Sequence, residues 1–149
     1  MRAIIVIAAF SMSLLGCNHA SSVAEDKTAI AAVMQTHYAR PNAAPSIEPI
    51  VVRHPYGIAD WVQGDTGGRT LLRKRFGTWS VVTSTGLEMR DAAYLQQAGV
   101  PKDDAIALAT QLIDAERSID SHRLALLDQF GPKPDAAVAV LDAVVVQAK

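Results

Sequence analysis

Cysteine occurs once in the 149 residues, which excludes an intramolecular disulfide and leaves no thiol set for a zinc or iron–sulfur cage. An excess of either charge is missing as well. With 14 Lys and Arg against 15 Asp and Glu the net charge is −1, so nothing draws the whole chain to nucleic acid or to an anionic membrane. The four histidines are dispersed, no two within four residues of each other, so any metal site must be assembled from distant segments. There is no Gly-x-Ser-x-Gly elbow, no phosphate loop ending in Lys-Ser/Thr, no internal repeat and no low-complexity tract. Hydrophobic residues make up 50% and charged residues 19%, enough to exclude an extended disordered chain and to close one modest core in one domain.

The N-terminus has the layout of an export signal. Arg2 precedes the apolar run Ala3–Phe10, which is too short to span a bilayer stably, and small residues follow it. Leu14-Leu15-Gly16-Cys17 resembles the lipobox of bacterial lipoproteins, in which cleavage leaves the cysteine as a new, lipid-bearing N-terminus. The chain's one thiol stands where that chemistry requires it. The resemblance implies a lipoprotein signal peptide over residues 1–16 and a membrane anchor of acyl chains such as palmitate on Cys17. At about 0.8 kcal/mol per buried methylene, several acyl chains together hold a domain of this size at a membrane. The mature protein would then be tethered to a bacterial membrane and face the periplasm. Asn18, in place of the Asp that retains many lipoproteins in the inner membrane, slightly favours the outer membrane.

Residues 17–22 read as a lipidated tether, 23–134 as a single domain, and 135–149 as an apolar C-terminal helix or tail. Ser22 and Glu25 stand at capping-box spacing before Ala29, Ile30, Val33, Met34 and His37, which predicts a helix from about Val23 to Tyr38, ended by Pro41 and Pro45. Four β-rich runs follow, Ile50–Val52, Ile58–Val62, Thr70–Lys74 and Trp79–Thr83. The turn residues His54–Gly57, Gly64–Gly68 and Phe76-Gly77 separate them. Helical periodicity returns from about Leu87. Gly99 reads as a left-handed helix end, Pro101 as a helix start, Ile106, Ala109, Leu112 and Ile113 as one helix face, and Ile119–Phe130 as a last periodic stretch. The fold class is α+β: an N-terminal helix packed on a four-stranded antiparallel meander, followed by two or three C-terminal helices.

Three constellations are candidates for chemistry. Met34, His37, His54 and Met89 are ligands suited to copper, with Cu(I) favoured by the thioethers, although Met34 also reads as core and His54 as a turn residue. Asp60, inside an apolar strand where burial would raise its pKa, could work with Asp65 in acid–base catalysis. Strand alternation more often turns such an Asp to solvent or to an arginine, and the reading is of a non-enzymatic protein. Arg69, Arg73 and Arg75, with Lys74 and Phe76 beside them, form a basic strand suited to a partner surface or a phospholipid headgroup, and they equally guard a strand against edge pairing. Nucleic acid is not expected as a partner. Gly64–Arg69 has the composition of an anion-binding nest but reads better as a hairpin loop.

Ile50–Val52, Ala59–Lys74 with its Trp-Val-Gln-Gly and Gly-Gly-Arg-Thr-Leu-Leu-Arg pieces, Gly77–Val82, and Ala92–Pro101 with Ala-Gly-Val-Pro resemble the bacterial proteins labelled copper uptake system-associated protein. The similarity runs from about Ala29 to Phe130. It implies a small exported accessory without enzymatic activity, associated with envelope copper-handling proteins, and copper as the candidate cofactor. Many members place a cysteine near the end of the fourth strand, where this chain has Val82-Thr83-Ser84-Thr85-Gly86. If that thiol binds copper in other members, the ligand is absent here. The alternative expectation is a structural or protein-binding envelope lipoprotein with no metal role.

Overall fold

The computed structural model describes residues 18–130, with side chains from Val23 onward. The leader 1–16, Cys17 and the segment 135–149 lie outside the described residues. Helix α1 (Asn18–His37) leads into a meander of four antiparallel strands, β1 (Ser46–Arg53), β2 (Tyr56–Gln63), β3 (Thr66–Arg75) and β4 (Thr78–Thr85), in the order β1-β2-β3-β4. A 3-10 turn (Leu87–Arg90) then carries the chain into α2 (Ala92–Gln97), α3 (Lys102–Glu116) and α4 (Ser121–Asp128). This is the expected α+β arrangement. The first helix starts earlier than its capping-box spacing suggests: backbone from Asn18 to Ser22, expected as a tether, is helical, and Ser22 lies inside the helix instead of capping it.

The meander takes its turns where the sequence places them. Gly64 adopts a left-handed φ of 64° between β2 and β3, and Phe76 and Gly77, with φ of 50° and 81°, reverse the chain between β3 and β4. Gly67 and Gly68, read as loop residues, instead lie within β3, and their missing side chains make room for the C-terminal part of the fold. A Cβ on Gly68 would stand 2.6 Å from the Phe130 ring, and one on Gly67 would press on Val62 and the Leu126 backbone. Gln63 donates from Nε2 to the Tyr38 and Ala43 carbonyls, both at 2.9 Å, and so ties the connection after α1 to the end of β2.

Strand alternation divides the apolar residues between two faces, and each has its own helical cover. On one, Ile30 and Met34 of α1 pack with Ala59, Trp61, Leu72 and Trp79, and Phe130 meets the Trp61 ring edge-on at 5.3 Å. On the other, Tyr56, Ile58 and Leu71 pack with Met89, Leu95, Val100, Ala105, Leu108 and Leu112. Among the described residues, both cores are built from residues between Ile30 and Phe130. The junction of α2 and α3 is a Schellman end: Gly99 at φ 91° donates to the Gln96 carbonyl and Val100 to that of Leu95. The buried face of α3 runs through Ala105, Leu108, Ala109 and Leu112, while Ile106 and Ile113 are exposed, so the face predicted from periodicity is rotated.

Candidate functional site

Asp60 and Arg69 face each other across β2 and β3, on the side covered by α3. Both are fully buried, and Glu116, at the last position of α3, is 3% exposed. Arg69 donates from Nε to Glu116 Oε1 at 2.6 Å and from Nη1 to the Gly86 carbonyl at 3.1 Å. Its Nη1 also forms an ion pair with Asp128 Oδ1 at 2.8 Å. Arg90, from the 3-10 turn, donates from Nε and Nη2 to the other Glu116 oxygen. One cluster thus ties two strands to the 3-10 turn, α3 and α4.

Burial, followed by the nearby Glu116 charge, pushes the Asp60 carboxyl up to about 9. At neutral pH Asp60 is therefore a neutral acid, and neither of its buried oxygens has a hydrogen-bond partner among the described residues. Burial also pushes Glu116 upward, but hydrogen bonds and charge from Arg69 and Arg90 more than offset it, and Glu116 stays ionised below the usual carboxylate range. Two guanidiniums then face two carboxylates, Glu116 and Asp128, so the charges balance, with Arg90 and Asp128 at the half-exposed rim of the cluster. Asp65, the expected catalytic companion of Asp60, sits in the exposed β2–β3 turn. Asp60 itself has no path to a substrate, so the pair is not brought together. Arg69 was expected on a partner-facing strand surface; its complete burial within the cluster removes it from any such surface.

The four expected copper ligands are also separated. Met34 and Met89 are both fully buried, but Met34 lies in the core under α1 and Met89 in the core under α3, with the sheet between them. His37 is exposed at the end of α1, where its ring meets Tyr38 edge-on at 4.8 Å. His54 is exposed in the β1–β2 turn, beside Trp79. Met34, His37, His54 and Met89 therefore do not fit a single copper ion, and among the described residues no group of three His, Cys, Asp or Glu side chains is placed to hold a metal.

Arg73 and Arg75 are brought together. They line a recess of about 270 Å³ with Tyr56, Ser80, Val81, Val82 and Ala98, on the face of the sheet that carries Arg69 but nearer the β3–β4 turn. The Arg73 guanidinium lies over the Tyr56 ring, 5.3 Å from its centroid, and Tyr56 is held by its hydroxyl donating to the Gly99 carbonyl. Arg73 Nε is buried without a hydrogen-bond partner, and among the described residues no carboxylate lies within 4 Å of either guanidinium. Lys74, pointing to the opposite face, is by contrast paired with Asp26 of α1 at 2.5 Å. Burial pushes the Asp26 carboxyl up, and Lys74 together with the Trp79 indole N–H more than offsets this, leaving it below the usual range.

Sequence reasoning missed Glu116, Arg90 and Asp128 as members of the charged cluster. The available signal was the pairing of Asp60 with Arg69 across a short hairpin: two opposite charges on an apolar strand face require further buried partners, although nothing local says which. No family model, curated protein or solved structure matches this chain.

Proposed function

We propose that this protein is a lipid-anchored, periplasm-facing accessory of the bacterial envelope, non-enzymatic, that serves copper uptake or copper handling through a partner and not by carrying the metal on Met34, His37, His54 and Met89. The lipobox-like Leu14–Cys17 supports the anchor, and the resemblance over Ala29–Phe130 supports the association with copper handling. The observation that carries the choice between carrier and accessory is the burial of the two thioethers in separate cores on opposite faces of the sheet. A Cu(I) ion needs its soft ligands within bonding distance of one point, and bringing these two together would require dismantling the fold. Burial of Asp60, Arg69 and Glu116 supports the non-enzymatic reading, because a general acid or base must reach the proton that it moves.

Anaerobic competition for Cu(I) between the mature chain and a chromogenic chelator tests the accessory role. The expected result is no withdrawal of copper attributable to these residues, with Met34→Leu and Met89→Leu matching the parent. Stoichiometric binding lost on replacement of Met34 and His37 would make the protein a copper carrier. In a host lacking the gene, copper accumulation restored by the parent and by both Met variants, but not by Cys17→Ala, is the expected cellular counterpart. Equal copper accumulation with and without the gene would leave the structural envelope role as the better reading.

A further inference from the structure

The topology collects several features at one end of the molecule. Both the β1–β2 and β3–β4 turns lie there, since Tyr56 pairs with Arg73 and Arg75 with Thr78, while the β2–β3 turn lies at the far end. Helix α1 runs between the two ends: Asp26 meets Lys74 and Trp79 near the first, and the Tyr38 carbonyl accepts from Gln63 at the second. Asn18 precedes Asp26 by eight residues of continuous helix, about 12 Å of axial rise. The chain that follows Cys17 therefore enters the domain at the end that carries the Arg73–Arg75 recess.

Phe76 stands at the tip of the β3–β4 turn there. It is completely exposed and adopts a left-handed φ of 50°, a conformation that costs a residue other than glycine about 1 kcal/mol. An aromatic ring in that position buries nothing of its own fold. Beside it, two guanidiniums lack carboxylates, and one has a buried N–H without an acceptor. An exposed ring next to a basic recess is the pairing that suits a bilayer surface: the ring enters the boundary between headgroups and acyl chains, and the arginines take phosphate oxygens.

We propose that this end of the domain docks on anionic phospholipid, with a lipid phosphate in the Arg73–Arg75 recess and Phe76 inserted beside it. The inference rests on the reading of Cys17 as the lipidated residue, because a tether there holds the tip close to the bilayer and raises its effective concentration. The near-zero net charge fits the same picture. Attraction from bulk solution is weak, and docking becomes substantial once the anchor has placed the domain.

Coupling residues 17–149 through the Cys17 thiol to a maleimide lipid provides the tether whether or not the native protein is acylated, and both cores lie within this stretch. With Phe76→Trp and vesicles of brominated phosphatidylglycerol and phosphatidylethanolamine, the indole introduced at position 76 should be quenched severalfold more than the buried Trp61 and Trp79 of the parent. Brominated phosphatidylcholine, or Arg73→Ala with Arg75→Ala, should abolish the excess. Quenching no greater than in the parent, or equal in neutral vesicles, would overturn the proposal. Absence of quenching together with binding of a polyglutamate peptide that the double arginine variant loses would assign the recess to an acidic protein segment and overturn the lipid assignment. Native lipidation is read separately, by mass spectrometry of Cys17 from a bacterial host, so failure of the anchor and failure of docking remain distinguishable.

Discussion

Replacing Asp60 with Asn should remove a specific pH dependence from the stability of the fold. In the folded chain burial, followed by the Glu116 charge, raises the carboxyl from an ordinary 3.8 to about 9, so across that window the folded state holds a proton that the unfolded state has released. Stability from this group is complete below about pH 4 and declines as pH rises through neutrality toward about 9, where it levels off. The slope is that of one proton, about 1.4 kcal/mol per pH unit, so between pH 5 and pH 8 the parent gives up about 4 kcal/mol that an uncharged residue would keep. Asparagine is close in shape to the protonated acid and carries no charge at any pH. Every other titrating group is common to both proteins and should largely cancel in the difference. Urea unfolding followed by the fluorescence of Trp61 and Trp79 at pH 5, 6, 7 and 8 gives that difference directly. It should grow in favour of Asp60→Asn by about 1.4 kcal/mol per unit. Parallel stability curves would mean that Asp60 is ionised in the fold, and would refute the account of the cluster as a neutral acid among balanced charges.

Glu116→Gln leaves Arg69 and Arg90 without their shared carboxylate, and equilibrium unfolding should show a loss of about 3–5 kcal/mol, the usual consequence of orphaning a buried charge. Gly68→Ala forces a methyl group against the Phe130 ring and should cost about 1–3 kcal/mol, with a smaller loss when Phe130→Ala is already present. Phe76→Asn relieves a left-handed residue that buries nothing, so it should raise the stability of the untethered domain by up to about 1 kcal/mol, and an unchanged or lower unfolding midpoint would contradict that reading.

Much of this arrangement was legible because its signals are local. The four β-rich runs are each bounded by residues that favour turns, and the left-handed Gly99 followed by Val100 and Pro101 specifies a helix end within five residues. Other features depend on partners far along the chain. Gly67 and Gly68 look like loop residues until Leu126 and Phe130 come to lie against them, and Arg69 looks solvated until Gly86, Glu116 and Asp128 close around it. Helix α3 misled for a different reason. Ile106 and Ile113 continue an apolar periodicity that is real, yet the buried stripe runs through Ala105, Leu108, Ala109 and Leu112, a second apolar face that the spacing alone does not rank below the first. The Met34, His37, His54 and Met89 set rests on ligand chemistry and on the helical spacing of Met34 and His37, and period-two alternation along β2 and β3 gives no warning that α1 and the 3-10 turn cover opposite faces.

A buried charge cluster is a poor source of stability but a stringent device for register, and here its placement shapes what remains for recognition. A slip of β3 by one residue would turn Arg69 into the apolar core around Trp61 and carry Leu72 to the side of Glu116, so the cluster specifies both the strand pairing and which helix covers which face. The same strand face then changes character along its length. Arg69 is sealed, Arg73 is half-buried over Tyr56, and Arg75 is exposed, over six residues of strand, about 20 Å. At the buried end the arginine is consumed by the fold, since it is engaged by Glu116, Asp128 and the Gly86 carbonyl. At the open end two guanidiniums remain available, next to a strained aromatic and to the end of α1 where the chain from Cys17 arrives. One strand therefore supplies the fold's internal lock at one end and, at the other, the two guanidiniums proposed to meet lipid phosphate. Substitutions at Arg69 should be read out in stability, and substitutions at Arg73 and Arg75 in binding.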